Sequence, residues 1–300
     1  MTVKVDKPRA NRTDHTSATV VPQLPKPEWG PRLPYFDVLL SLLEKGDSSV
    51  EAAFGRHVHW GFWPDPRSAT GDAADYAMAA ERLCIEVCAG ANITNGQLVL
   101  DVGCGFGGTI ASLNERFQHM RFVGLNIDQR QIARAKARVT PRGDNLVTFV
   151  AGTASSLPLP DASCDTVVAV EAIFHFPDRA QFFGEAHRVL KPGGRLSLSD
   201  YLPQHWMQPA LWLKVPSFHF GDFDVRYSLE RYRRLANEVG FRLVIERDIN
   251  ANTLPTFDFL ESLKPLVARF GKQVVIETRM LRWISRLRLL CYGILAFEKS

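Results

Sequence analysis

Residues 98–108 read Leu-Val-Leu-Asp-Val-Gly-Cys-Gly-Phe-Gly-Gly. An apolar strand ends on Asp101 and runs into a loop with glycine at 103, 105, 107 and 108. Strand, glycine-rich turn and helix start are the means by which an open α/β sheet brings backbone N–H groups close to a nucleotide cofactor. Two patterns overlap here. Gly103, Gly105 and Gly108 fit the dinucleotide spacing G-x-G-x-x-G, and Gly103, Gly105 and Gly107 fit the tighter G-x-G-x-G. The loop by itself does not decide between them.

Outward from this loop, strand and helix patterns alternate. Strands are expected at 97–102, 121–127, 146–150, 164–170 and 194–200, with helices at 108–117, 129–138 and 179–189 between them. The strands are continuously apolar, as strands covered on both faces must be, and the alternation predicts a doubly wound, parallel α/β sheet. Helix 228–239 ends at Gly240, strand 241–249 follows, then helices near 256–269 and 273–287, and a last strand at 290–298. Upstream, apolar residues recur at helical spacing over 35–57, and an amphipathic helix is expected over 73–90. An aromatic, turn-rich stretch, His57-Val-His-Trp-Gly-Phe-Trp-Pro64, lies between them.

The bulk properties set bounds. The 300 residues are 46% hydrophobic and 23% charged, with a formal net charge of +4. This describes a globular chain with a core that needs no metal or disulfide, and the charge does not demand nucleic acid or an anionic membrane. No apolar run is long enough for a membrane span, and the first 30 residues have basic and proline residues but no apolar core of a secretory signal. Residues 1–30 are therefore expected to be a disordered tail, followed by one domain over 31–300. The cysteines, at 84, 88, 104, 164 and 291, form no C-x-x-C pair. Reduced thiols, a cytoplasmic location and no metal site are expected.

Further signals lie past the loop. The second strand ends on Asn126, followed by Gln131 in the first turn of the next helix, where a ribose would be held. The third strand leads into Gly152-Thr153-Ala154, and Lys191-Pro-Gly-Gly194 turns the chain into the fifth strand. On this run of motifs, over roughly residues 57–300, the chain resembles class I S-adenosylmethionine (SAM)-dependent methyltransferases of the small-molecule branch. That branch includes quinone and tocopherol, sugar O-, sarcosine N- and isoprenoid C-methyltransferases. The resemblance implies a seven-stranded, mostly parallel Rossmann-like sheet whose last strand is antiparallel, under an N-terminal helical lid at about 35–90. It implies SAM as cofactor, with Asp101, Gly103, Gly105 and Gly107 at its methionine end. Asn126 and Gln131 would take the ribose, Thr153 and Ala154 would flank the adenine, and Trp60 of the lid would lie over the sulfonium. The family often has Asp where Thr153 stands, and threonine offers a neutral hydrogen bond only.

Methyl transfer to a hydroxyl requires a base, and transfer to an alkene requires a cation to be stabilised and then deprotonated. Candidates belong at the carboxyl ends of strands four and five, which carry Glu171, His175 and Asp200. Family members that use a base often have a histidine pair after strand four; here Phe174 stands at the first position, which favours Glu171 or Asp200 as the base. An aromatic cap is expected over 202–226 and 250–287, lining an apolar acceptor pocket with Phe174, Phe176, Tyr201, Trp206, Trp212, Phe218 and Phe220. Helix 273–287 shows an apolar face (Ile276, Met280, Trp283, Ile284, Leu287) and a basic stripe (Arg279, Arg282, Arg286). The stripe is either a solvated face or a site for an anionic group.

The favoured reading is O- or C-methylation of a small, largely apolar metabolite, isoprenoid or aromatic. N-methylation of a small amine, an NAD(P)-dependent oxidoreductase and a non-catalytic SAM-binding scaffold are the alternatives. The expected partner is a small-molecule acceptor, with neither nucleic acid nor stable membrane insertion.

Overall fold

The computed structural model describes residues 33–207 and 224–300. The expected tail, and Trp212, Phe218 and Phe220 of the expected cap, lie outside these residues. The strands are β1 (Leu98–Val102), β2 (Arg121–Asn126), β3 (Leu146–Ala151), β4 (Cys164–Ala169), β5 (Leu190–Pro203), β6 (Phe241–Asp248) and β7 (Leu290–Lys299). They form one sheet in the order β3-β2-β1-β4-β5-β7-β6. The pairs from β3 through β5 are parallel, and β7 runs antiparallel to both β5 and β6. The order reverses between β1 and β4, and a crevice opens at such a switch point beyond the carboxyl ends of the strands.

Helices α4 (Gly108–Arg116), α5 (Gln129–Arg138), α6 (Arg179–Val189) and α7 (Leu229–Val239) cover the sheet. The apolar faces of α6 and α7, through Phe182, Phe183, Tyr232 and Leu235, meet β4, β5 and β7 in the largest core cluster. Local signals end these helices as expected. Asp128 caps α5 and Asp178 caps α6, each through its side chain, and Gly240 closes α7 at φ +94. Strand β5 is longer than expected, because Pro192-Gly193-Gly194 is absorbed as an irregularity. Cys164 pairs with Leu190, and Thr166 already pairs with Arg195.

Helix α3 (Ala73–Gly90) also lies on the sheet, where the Ser197 hydroxyl of β5 donates to the Val87 carbonyl at 2.7 Å. The remaining helices, α1 (Pro34–Glu44), α2 (Ser48–Phe54), α8 (Asn250–Thr253), α9 (Pro255–Ser262), α10 (Lys264–Phe270) and α11 (Lys272–Arg286), gather with the start of α3. Both expected long helices are broken. Asp47 caps a fresh helix after Gly46, and Pro265 starts α10 anew. Phe36, Leu39, Phe54 and Tyr76 from the N-terminal helices share a core with Phe259, Leu263 and Leu266.

Helix α11 corrects the expected orientation. Ile276, Met280, Trp283 and Leu287 are exposed, while Val274, Glu277, Thr278 and Ser285 are buried. The helix has apolar residues on more than one side, and packing against α9 and α10 selected the narrower one. Among the described residues no helix is long and apolar enough to cross a membrane.

Candidate active site

The glycine loop follows β1 into α4. Gly103, Gly105 and Gly107 have φ of +84, +53 and +82, a left-handed backbone that glycine adopts without strain. A Cβ at Gly105 would meet nothing nearer than Gln131 Oε1 at 3.9 Å, so the surface above it is open. Gly108 has a different reason. A Cβ there would lie 2.4 Å from the Arg56 carbonyl oxygen and 2.5 Å from His57 Nδ1. The residue that completes the dinucleotide spacing is thus required by the docking of the lid.

Asp101 is 1% exposed, and its Oδ2 has no hydrogen-bond partner among the described residues. Burial pushes its carboxyl up to about 7, with Thr109 opposing. Asn126 and Gln131 meet, Asn126 Nδ2 donating to Gln131 Oε1 at 3.1 Å, while the Asp128 N–H donates to Asn126 Oδ1 at 3.0 Å. The Thr153 hydroxyl accepts from the Ser155 N–H at 3.3 Å, and the Ala154 side chain packs into the main core. An unpartnered buried carboxylate oxygen beside an open, glycine-walled loop fits a ligand with an ammonium group. The donor–acceptor cluster at the end of β2 fits a ribose.

An apolar cavity lies between the sheet and the gathered helices. Its walls come from Tyr35 and Leu39 on α1, Phe54 on α2 and Tyr76 on α3. Phe257, Leu260, Leu266, Phe270, Val274, Thr278 and Leu281 of α9–α11 face them. From the sheet side it receives Glu171, Phe174, His175 and Tyr201, and from the lid Val58, His59 and Trp60. No Lys or Arg is among the described lining residues.

Glu171 sits at the turn after β4 with φ +50. For a residue with a side chain this conformation costs about 1–3 kcal/mol and marks a position held for a purpose. Its backbone N–H donates to Ser199 Oγ at 2.9 Å, and its carboxylate accepts the N–H of Trp60. Burial raises its pKa well above the usual glutamate value, against the hydrogen bonds from Trp60 and Tyr292. The Trp60 ring stacks on Tyr292 at 5.8 Å and meets Phe257 and Tyr201 edge-on at 4.5 and 5.3 Å. Trp63, by contrast, is an anchor, 1% exposed with its Nε1–H donating to Asp75 at 2.9 Å.

Three expected residues stand elsewhere. Asp200 does not line the cavity. It is fully buried, its Oδ2 paired with Arg179 and accepting the Tyr232 hydroxyl at 2.5 Å, its Oδ1 accepting the Tyr201 N–H at 2.7 Å. Burial lifts its pKa to about 6 despite Arg179. Phe176 backs onto the core, edge-on to Phe182 at 4.9 Å, because the 3-10 turn Ile173–His175 rotates it away from Phe174. Trp206 is 70% exposed on the turn His205–Met207. Two of the three arginines of the basic stripe pair with the neighbouring helix α9. Arg279 pairs with Glu261 at 2.8 Å, and Arg282 with Asp258 and Glu261.

Sequence reasoning passed over Tyr35, Phe54, Tyr76, Phe257 and Phe270, which looked like ordinary core residues of amphipathic helices. It also passed over His57, for which the H-x-H-W-G spacing before the lid aromatics was the available signal.

Comparison with known proteins agrees with this geometry. Residues 100–198 match a methyltransferase domain family. The chain is 31% identical over 241 residues to methyltransferase GfsG of Streptomyces halstedii, covering 79% of this chain and 84% of that protein. It is 31% identical to the 27-O-demethylrifamycin SV methyltransferase of Amycolatopsis mediterranei, covering 69% of this chain and 75% of that one. Among solved structures, a geranyl diphosphate methyltransferase in complex with SAM shares the fold. Its TM-score is 0.69 at 18% identity, covering 81% of this chain and 99% of that one. With the glycine loop, the strand order and these relatives in agreement, the chain belongs to the class I SAM-dependent methyltransferases of small molecules.

Proposed function

We propose that this enzyme methylates a neutral, largely apolar metabolite at a hydroxyl oxygen, with Glu171 receiving the proton. The observation that carries this reading is the cavity itself. Its described walls are mainly aromatic and aliphatic, and among the described lining residues there is one carboxylate and no Lys or Arg to match a phosphate. The curated relatives include a methyltransferase named for an O-demethylated rifamycin. The pairing of Arg279 and Arg282 with carboxylates of α9 supports the same reading, since those two arginines already have anionic partners.

SAM supplies an activated methyl on its sulfonium, so the chain's work is alignment and proton removal. Asp101 and the glycine-walled loop, through the N–H groups of Gly105 and Phe106, would hold the methionine end, since those of Gly103, Cys104 and Gly107 already donate to Leu125 and Cys104 carbonyls. Asn126 and Gln131 would hold the ribose. Thr153 and the backbone at Ala154 would flank the adenine. Trp60, fixed by its N–H on Glu171 and its ring on Tyr292, would close the cavity above the reacting atoms. Glu171, raised by burial, is suited to take the proton of a hydroxyl as its oxygen attacks. His175, at the same wall, is the second candidate.

Carbon methylation is the second reading. The faces of Trp60, Phe174, Tyr76 and Tyr201 around one carboxylate would suit a carbocation and its deprotonation.

The test is transfer of labelled methyl from SAM to matched acceptors: neutral polyketide or terpenoid alcohols, and prenyl diphosphates of similar length. Turnover of the neutral alcohols alone is expected. Preference for the diphosphates would overturn the reading.

A further inference from the structure

The lid holds two histidines that the proposed chemistry does not use. His57 and His59 are both buried, with ring centroids 4.7 Å apart. His57 Nε2 lies 2.7 Å from Glu81 Oε2 on α3, and His57 Nδ1 lies 3.0 Å from His59 Nε2. His59 Nδ1 lies 2.9 Å from the Trp60 carbonyl oxygen. Both ends of this chain, a carboxylate and a carbonyl, only accept, so each of the three contacts needs a hydrogen from a ring nitrogen. Two neutral imidazoles carry one hydrogen each. The chain as it stands therefore holds one proton more, an imidazolium on His57 facing Glu81, with His59 neutral and protonated on Nδ1.

Glu81 is the counter-ion that this assignment requires. Glu81 also accepts from Ser112 Oγ at 2.5 Å and pairs with Arg116 on α4 and with Arg56 at 3.1 Å. Against burial, the hydrogen bonds from His57 and Ser112 and the charges of His57 and Arg56 hold its carboxyl down at about 2, so the shared proton stays with the ring. Arg56 and Arg116, which repel a charge on His57, are thus answered by Glu81, and Arg56 also by Glu115 at 2.9 Å. The Tyr76 hydroxyl donates to the His59 carbonyl at 2.9 Å. Burial and the neighbouring His57 hold the His59 pKa at about 3. Burial also draws His57 down, with Glu81 opposing. Yet stripping that proton would set lone pair against lone pair at one of the three contacts.

We propose that Glu81, His57 and His59 are positioning residues for methyl transfer, a singly protonated chain anchored on α3 and α4. The chain holds the Trp60 backbone by its carbonyl while Glu171 holds it by its N–H, and so keeps the Glu171 carboxylate aimed at the acceptor. This inference rests on the reading of Glu171 as the proton acceptor.

Nitrogen-15 spectra of the full chain labelled at histidine, with S-adenosylhomocysteine bound, count the ring hydrogens from pH 5 to 9. Three hydrogens on the His57–His59 pair are expected wherever the enzyme turns over at its full rate, with kcat falling as the third leaves. His59→Ala should lower kcat by roughly 10- to 100-fold through misplacement of the lid, with the dissociation constant for S-adenosylhomocysteine nearly unchanged. His59→Asn, whose amide can still donate to the Trp60 carbonyl, should recover most of the loss. One hydrogen per ring at every pH of full turnover, or an Asn variant as slow as the Ala variant, would overturn the proposal. The nitrogen count needs no variant to fold. It also stands apart from Glu171: full activity of Glu171→Gln would defeat that reading and leave the ring hydrogens as they are.

Discussion

Two carboxylates stand at the carboxyl ends of neighbouring strands, and their surroundings could hardly differ more. Asp200 on β5 is sealed with Arg179 and Tyr232 and has no access to the cavity. Glu171, after β4, faces an aromatic cavity whose described walls offer no cation, and its bonds come from a backbone N–H and a tyrosine. A carboxylate matched by an arginine is committed to holding the fold together. One left in an apolar wall with a raised pKa is available to a proton.

The contrast breaks most sharply under isosteric substitution. Glu171→Gln should lower kcat by about 10²–10⁴-fold, the range for losing a general base, with little change in stability. The sign of its pH profile follows from the raised pKa. Only the ionised carboxylate accepts a proton, so kcat should rise with pH on a limb above the usual glutamate range, and the variant should lose that limb. Asp200→Asn should do the converse. Leaving Arg179 buried without its charge partner costs about 3–5 kcal/mol, read by denaturant unfolding, while the folded fraction keeps its kcat. A stable Asp200→Asn protein with no turnover would reverse the two assignments.

Asp101 sharpens the comparison as a third case, a buried carboxylate with a free oxygen. Its pKa is raised to about 7, so it is neutral in acid and ionised above. The affinity for S-adenosylhomocysteine, which carries an ammonium group, should weaken as pH falls through about 7, by up to about tenfold per pH unit. Asp101→Asn should flatten that dependence in calorimetry. The same sign means that this group's contribution to the stability of the free protein is greatest in acid and is lost as pH rises through about 7.

The smallest effect is expected at the basic stripe. Arg279, paired with Glu261 at the surface, should cost no more than about 1 kcal/mol when changed to Ala, and acceptor KM should not move. A raised KM would return the stripe to the site.

Much of the cofactor half was legible along the chain. The strand, the glycine loop and the cap of the next helix are local features, set within a dozen residues by φ angles and by the end of an apolar run. The strand series followed from alternation, while the antiparallel last strand was implied by the family resemblance. The sequence could place Glu171, His175 and Asp200 at strand ends, but not say which of them faced an opening. That depends on Arg179, which lies 21 residues before Asp200 in the chain and beside it in space.

The acceptor half was decided by tertiary structure. Its walls are drawn from Tyr35 to Leu281, on helices whose apolar residues were visible but whose inward side was not. In α11 the exposed Ile276 and Trp283 are as apolar as the buried Val274, so periodicity alone could not orient the helix. The partners of Arg279 and Arg282 are likewise tertiary, Asp258 and Glu261 of α9, whose approach no local pattern records. The glycine loop takes its shape from its own φ angles and from two N–H groups donated to the Leu125 carbonyl of the neighbouring strand. The cavity exists only where α1–α3 and α9–α11 meet above the sheet, because its surface is made by packing between segments distant in sequence.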